Sequence, residues 1–514
     1  MALLRASATF SSWTGLSRLT GFGRDLMIAI ILGVSPLADI FVMALVIPSL
    51  FRSFTGEGAF SSAFVPRYSG LRTTQGQAHA SDFAAKVIGL IILVTVLITG
   101  VVWAAAPWIM PVMVPWLEAS QTLKAVAVNL LQITITYVIL VSLVALLGGL
   151  LTEHDVYAPL AGSQVIYNLL VIFAAWVSVI VGGQTVYFMA WAVIGAGSLQ
   201  LLWVLIVMIR RRIVLPLRQM ARCLQFDDRF KDFMRGLGPA VLASCLLPIS
   251  TVADNIMAAW LGTGNVSQIY YASRLYQLPY SLVAIAFAAA LIPSLSRFYA
   301  KAAHGPAADL LRTTLLGALM IAVPAAVGIA ILAQPIIQAV YAYGAFTDEA
   351  AVLVGRILMI YALVIPPLTV VKILTSSFFA QKDTTTPFKL LCLSVALNIS
   401  TSLISIQFIG VMGIALGTAV ASWTHAAVIW WMHQRRRGSL IDDRGWRWFG
   451  AIILAVLGMA AGVWGLRAPI LYLTMDFGGV IVALLILIPL GMLIYGGLAQ
   501  VLGLRALLGQ VSRA

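Results

Sequence analysis

Fourteen runs of roughly 20 predominantly apolar residues follow one another along this sequence. A run of that length has one common use: at about 1.5 Å per residue it crosses a ~30 Å hydrocarbon slab as a helix. Six lie at about 8–33, 38–66, 84–112, 123–151, 158–181 and 187–209, and eight at about 237–261, 266–297, 311–340, 350–381, 387–406, 411–432, 447–466 and 477–502. Of the 514 residues, 61% are hydrophobic and only 10% charged, against about a quarter charged in soluble proteins. Mean hydropathy is +1.00. A soluble globular fold is excluded, and an all-α polytopic membrane protein is expected.

The charges fix an orientation. Lys and Arg number 32 and Asp and Glu 18, a net +14, which in a soluble chain would suggest nucleic acid. Here the basic residues gather between apolar runs, where they contact anionic headgroups and set topology. Breaks after even-numbered runs hold Arg67, Arg72, the cluster from Arg210 to Arg235, Arg297, Lys301, Lys382, Arg435, Arg436, Arg437 and Arg444. Those breaks are expected in the cytoplasm, with both termini. The opposite breaks are nearly free of basic residues, Arg467 being the main exception. Arg18, Arg24 and Asp25 interrupt the first run, so the first helix is expected to be retained and not cleaved as a signal peptide. Cys223, Cys245 and Cys392 are far apart and support neither a disulfide framework nor a zinc site.

The two groups of runs resemble each other. Leu32-Gly33, Pro48, Arg52 and Phe64-Val65-Pro66 in one parallel Leu261-Gly262, Pro279, Arg274 and Leu291-Ile292-Pro293 in the other. Duplication into two lobes follows, as in transporters with a central cleft. The expected organisation is an N-terminal lobe over 1–209, a basic linker over 210–236, a C-terminal lobe over 237–440 and a last helix pair over 441–514. Pro248, Pro279, Pro324 and Pro366-Pro367 break backbone hydrogen bonds and provide bends, and Gly413–Gly417 allows close helix packing.

No nucleotide-binding, metalloprotease or serine-hydrolase motif is present, and His79, His154, His304, His425 and His433 do not cluster at ligand spacing. Asp442-Asp443 and Glu153-x-Asp155 read as solvated polar turns. No catalytic residue and no metal site is assigned. The informative residues are charges at membrane depth: Arg18, Arg24, Asp25, Asp39, Arg52, Asp254 and Arg274. Each costs at least ~2.5–3.5 kcal/mol unless it faces a wet cavity or a partner. Three guanidiniums, Arg24, Arg52 and Arg274, with Asp25 as counter-ion, make an anion site, because the planar fork binds phosphate bidentately. A diphosphate is the natural guest. The alternative is that the arginines are internal ion pairs, Arg24 with Asp25 and Arg52 with Glu57.

Ser17-Arg18-Leu19-x-Gly21-Phe22-x-Arg24-Asp25, then Asp39, then Arg52-x4-Glu57-Gly58-Ala59-Phe60-x2-Ala63-Phe64-Val65-Pro66, resemble the MurJ (MviN) family of lipid II flippases, of the multidrug/oligosaccharidyl-lipid/polysaccharide exporter superfamily. Tyr270-Tyr271-Ala272-x-Arg274-Leu275, Tyr343-Gly344-x-Phe346-Thr347, Val371-Lys372-Ile373 and Phe379-x3-Asp383-x3-Pro387 extend the likeness, which thins after about residue 440. The resemblance implies about 14 transmembrane helices in two lobes around a central cationic cavity, the last two lining a groove for a polyprenyl tail. It implies a flippase of the bacterial inner membrane carrying lipid II, the undecaprenyl-diphosphate-linked disaccharide peptide, to the outer leaflet by alternating access. Arg18, Arg24, Asp25, Arg52 and Arg274 are then headgroup-binding, and Ser17, Asp39 and Glu57 are cavity or conformational residues. Some members are similar in having a sodium site, to which Asp254, Asn398 and Thr418 would correspond; Ser402 stands where a carboxylate is expected. No other cofactor is implied, and the partners are lipid II, membrane lipids and the cell-wall synthesis machinery. The rival readings are an exporter of another lipid-linked oligosaccharide and a membrane-embedded polyprenyl-phosphate glycosyltransferase.

Overall fold

The structure, a computed structural model, describes residues 2–55, 59–213, 216–221, 228–474 and 479–511. Every regular element among them is helical, as expected where hydrocarbon offers no partner to backbone N–H and C=O groups. The first compact unit, Met1–Ser267, contains α1 (Ala2–Leu32), α2 (Pro36–Thr55), α3 (Ala59–Gln75), α4 (Gln77–Met113), α5 (Gln121–Ile135), α6 (Tyr137–Thr152), α7 (Ala158–Val181), α8 (Thr185–Arg210), α9 (Leu217–Ala221) and α10 (Asp228–Trp260). The second, Gln268–Ala514, takes up α11 (Asn265–Tyr280) after its first turn. It continues through α12 (Ala286–Ala300), α13 (His304–Tyr341), α14 (Asp348–Ala362), α15 (Ile365–Ala380), α16 (Thr385–Ile409) and α17 (Met412–Arg437), and closes with α18 (Asp443–Leu473), α19 (Gly479–Val501) and α20 (Arg505–Val511).

Each of the fourteen expected runs is helical over its described residues. Twelve of them, counted on the described residues, are long and apolar enough to cross a membrane. The other two coincide with α1 and α10, of 31 and 33 residues. Length suffices for both; Arg18, Arg24 and Asp25 in one, and Asp254 and Asn255 in the other, dilute the apolar run. The first unit extends to Ser267 because α10 packs on α2, α3 and α4.

The duplication shows in where helices break. In the series α1, α2–α3, α4, α5–α6, α7, α8 and in the series α10, α11–α12, α13, α14–α15, α16, α17, the fourth spans are each split in two. In the second series the second span carries a π-helical turn over Ser281–Ile285, two residues beyond Pro279, which lacks the N–H that would continue the ladder. The fourth spans split at Thr136 and at Leu363-Val364. Helix ends agree as well. Asp155 and Lys382 both take positive φ after the fourth span, and the next residue donates to the carbonyl five back, Val156 to Leu151 and Asp383 to Phe378, each at 3.0 Å.

Prolines inside spans free the carbonyl four residues earlier, and side chains from other helices meet several of those carbonyls. Thr134 Oγ1 of α5 donates to Ala44 O, freed by Pro48, at 2.8 Å. Gln132 Nε2 reaches Trp103 O, freed by Pro107, at 3.2 Å. Trp423 Nε1 of α17 reaches Leu363 O, left open where α14 ends, at 3.1 Å. Polar turns read from the sequence as merely solvated also have structural work: Asp442 caps α18 by accepting from Gly445 N at 2.7 Å and pairs with Arg312 at 2.7 Å, and Glu153 O accepts from Arg72 Nη1 at 3.0 Å.

Apolar side chains such as Val96, Leu97 and Val101 on α4 and Leu485, Met492 and Leu493 on α19 stand exposed, an arrangement that only lipid makes favourable. Helix α17 lies against α16 through Gly413 and Gly417. A Cβ on Gly417 would come within 2.8 Å of Ser402 N and 2.9 Å of Asn398 O, both backbone atoms that cannot rotate away. Gly417→Ala is therefore expected to push α16 and α17 apart at a cost of about 1–3 kcal/mol, read as a lowered melting temperature of the purified protein, whereas Gly450→Ala, in open space, should leave it unchanged.

Candidate functional site

The charged residue best defined by its surroundings is Arg24. Its Nε and Nη2 donate to Asp25 Oδ1 at 3.0 and 2.6 Å, its Nη1 donates to Asn168 Oδ1 at 3.2 Å, and its guanidinium lies 5.4 Å from the ring centre of Tyr167. Asp25 is buried, and the Arg24 side chain is 17% exposed. Asn168 is in turn held by two donations from its Nδ2, to Ser17 O at 3.0 Å and to Thr20 Oγ1 at 3.1 Å. Both ends of the amide are occupied, which fixes its orientation and locks α7 to α1. Ser17 thus takes part through its main-chain carbonyl.

The network continues inward. Tyr167 packs on Tyr137 with ring centres 5.7 Å apart, Tyr137 Oη donates to Gln200 Oε1 at 3.3 Å, and Gln200 Nε2 donates to Ser163 O at 2.6 Å. Gly197 makes this possible, since a Cβ there would fall 2.8 Å from the Tyr137 ring and 2.9 Å from Leu140. Arg24 and Arg52 both lie within electrostatic reach of Tyr137. The first unit therefore brings Arg24, Asp25 and Ser17 into one cluster with Arg52 near it. Asn168, Tyr167, Tyr137 and Gln200 are members that sequence reading missed, although Asn168 and Gln200 were visible as polar residues inside apolar runs, a recognised signature of buried intramembrane sites.

Asp39 has a different task. It is fully buried at the start of α2, where its Oδ2 accepts from Gly264 N at 2.5 Å and its Oδ1 from Ser267 N at 2.8 Å. These are N–H groups at the start of α11, which have no partner within that helix. A carboxylate there also complements the helix dipole. Gly262 and Gly264, at φ +113° and +83°, turn the backbone toward it. Asp39→Asn keeps the shape but leaves one N–H facing an amide, so it is expected to cost about 1–3 kcal/mol; Asp39→Ala should cost more, as checked by thermal unfolding in detergent.

Arg274 belongs to the second unit, its guanidinium 4.5 Å from the ring centre of Tyr270. The neighbouring Tyr271 packs with Tyr341 and Phe346 at 5.3 and 5.6 Å, joining the Tyr270-Tyr271 and Tyr343–Thr347 motifs. Asn398 and Ser402 are buried together on α16, Ser402 Oγ 3.5 Å from Asn398 Oδ1, and Thr418 Oγ1 donates to Ile414 O at 3.1 Å. Asp254 lies on α10 of the first unit. Among the described residues no three His, Cys, Asp or Glu side chains gather at metal-binding range. Arg18 is half-buried on α1, and Glu57, with the Arg52–Glu57 pair, lies outside the described residues.

At the basic end of the second unit Asp383 caps α16, accepting from Thr386 N at 3.0 Å and Thr386 Oγ1 at 2.7 Å, and pairs with Arg436 of α17 at 2.9 Å. Partial burial pushes its carboxyl up, but the Thr386 hydrogen bonds and Arg436 outweigh burial and hold it below the usual carboxylate range. A depressed carboxylate contributes stability above its ordinary value near 4 and loses it as the pH falls through its own. Asp383→Asn should therefore lower the melting temperature at pH 7, and the gap to wild type should close below about pH 4. In the first unit the corresponding turn holds His154, its Nε2 3.4 Å from Tyr68 Oη; burial, then Arg72, push its pKa down.

Solved structures share this fold. A lipid II flippase MurJ in an inward closed conformation superposes with a TM-score of 0.81 at 24% identity, covering 96% of this chain and 98% of that one. An inward-facing MATE family multidrug transporter superposes at 0.67 and 15% identity, covering 84% and 95%. A family model described as lipid II flippase MurJ matches residues 28–487. The probable lipid II flippase MurJ of Rhizobium tropici is 31% identical, covering 90% of this chain and 86% of that protein. The lipid II flippase MurJ of Burkholderia cenocepacia is 29% identical, covering 90% and 89%. The chain belongs to the lipid II flippase MurJ family.

Proposed function

We propose that this protein carries lipid II from the inner to the outer leaflet of the bacterial cytoplasmic membrane by alternating access, supplying peptidoglycan synthesis. The observation that carries the reading is the family match over residues 28–487, joined to an arginine held at membrane depth by a fixed polar network. Arg18, Arg24, Arg52 and Arg274 bind the diphosphate and headgroup. Asp25 is the resting counter-ion of Arg24 and gives way to the incoming phosphate, so the guanidinium is never left uncompensated in low dielectric. The step is binding and release with no covalent chemistry, so the protein is a transporter and not an enzyme. Both termini are cytoplasmic, following the basic loops. Substrate reaches the protein from the inner leaflet and is passed on to the cell-wall synthesis machinery.

The direction follows from charge. About two negative charges leaving a negative interior across ~100 mV gain roughly 4.6 kcal/mol, at about 2.3 kcal/mol per charge. The membrane potential then drives flipping without ATP. A sodium ion at Asp254, Asn398 and Thr418 would be a second source, weakened by Ser402 in place of a carboxylate.

The test is lipid II exposure on the outer face of cells depleted of this protein and lacking a second flippase. Re-expressed wild type should restore it, while Arg24→Ala, Arg52→Ala and Arg274→Ala at matched membrane levels should leave less than a tenth. Exposure that survives depletion would overturn the substrate assignment, and flipping that survives collapse of the potential alone would overturn the driving force.

A further inference from the structure

Arg467 broke the charge pattern of the sequence, as the main basic residue on the side otherwise free of them, and the transport reading gives it no role. Its partner is specific. Arg467 Nη1 donates to Ile331 O of α13 at 2.9 Å. Pro335 lies four residues beyond Ile331 inside α13, so that carbonyl has no helical donor. One helix further on, Tyr495 Oη donates to Met320 O at 2.7 Å, and Pro324 lies four residues beyond Met320. Two prolines eleven residues apart, about 16 Å along the axis, thus free two carbonyls, and each receives a donor from a different helix of the α18–α19 pair. These two helices follow the two series of six spans. Between the two hydrogen bonds the contact is apolar and close-packed, with Leu316, Met320 and Leu332 of α13 against Val456 and Met459 of α18 and Leu487 of α19.

We propose that α18 and α19 form a splint for α13, clipped to it at the two carbonyls that Pro324 and Pro335 release, and that Arg467 and Tyr495 thereby set the bend of α13. The prolines make α13 bendable at two points, and a backbone carbonyl in hydrocarbon without a donor is strongly disfavoured. Bending at either point is therefore coupled to keeping or losing one clip. The inference concerns α13 and its brace, and does not depend on which substrate is carried.

The distinguishing test is rescue by restoring the missing N–H. In Pro335→Ala, residue 335 can donate to Ile331 O, and Arg467 becomes dispensable; in Pro324→Ala the same holds for Tyr495. With the full chain in nanodiscs, Arg467→Met and Tyr495→Phe should each lower the melting temperature by about 2–4 °C. They should also broaden the distance distribution between spin labels placed at Leu310 and Ala339 on either side of the two prolines. Pro335→Ala should at least halve the effect of Arg467→Met and leave that of Tyr495→Phe intact, and Pro324→Ala should do the reverse. Penalties that simply add in all four combinations, or an unchanged label distribution in the clip variants, would overturn the proposal. If Arg467→Met does not fold, the Tyr495→Phe and Pro324→Ala pair, which removes a single oxygen, decides it alone.

Discussion

A backbone carbonyl or N–H that reaches hydrocarbon without a partner costs several kcal/mol, and the irregular features of this protein are arranged around that cost. Straight helices meet it internally. At several points where the chain departs from a straight helix, a side chain from elsewhere supplies what the backbone has lost: Thr134 at Pro48, Gln132 at Pro107, Trp423 at the end of α14, and Asp39 for the start of α11. The donors differ in chemistry, from hydroxyl to indole, while the geometry they serve is the same. Breaks in the helices are thus fixed points of the tertiary structure and not loose joints.

The same rule sorts the charges. Asp39 and Arg467 each answer a backbone group directly, so their charge is committed to holding a helix in place. Arg24 is held by side chains, an aspartate and an asparagine, beside an aromatic ring. A side-chain carboxylate can exchange its place with another anion, whereas a helix start cannot. That difference separates residues suited to meeting a diphosphate from residues suited to keeping the fold, even though both are charged.

Much of this was legible in the sequence because hydropathy reads one span at a time, and each span here is long and continuous. The fourteen runs, the likeness of the two halves and the Arg24–Asp25 neighbourhood were all visible as local patterns. What was not visible was the far partner. Pro48 announces a freed carbonyl at Ala44, but nothing local says that Thr134, ninety residues on, will meet it. Asn168 lies 144 residues from Arg24, and the sequence reading paired that arginine only with its neighbour Asp25. The packing of α10 on α2 and α3 is hidden for the same reason, since α10 follows the basic stretch in sequence. Asp442, read as solvated, turned out to be a cap, a role that depends on where α18 begins and on Arg312 across from it.

Duplication explains why the two halves solve the same problem with different residues. The split fourth span recurs in both series, as do the left-handed residues at Asp155 and Lys382. The partners have diverged: Thr134, in the fourth span of the first series, serves the proline of the second span, whereas Trp423, in the sixth span of the second series, serves the break of the fourth. Helix breaks are costly to move, because shifting one residue changes which carbonyl is freed and which face presents it. The donor is cheap to change, because a hydroxyl, an amide or an indole can each reach a fixed oxygen from a suitable neighbour.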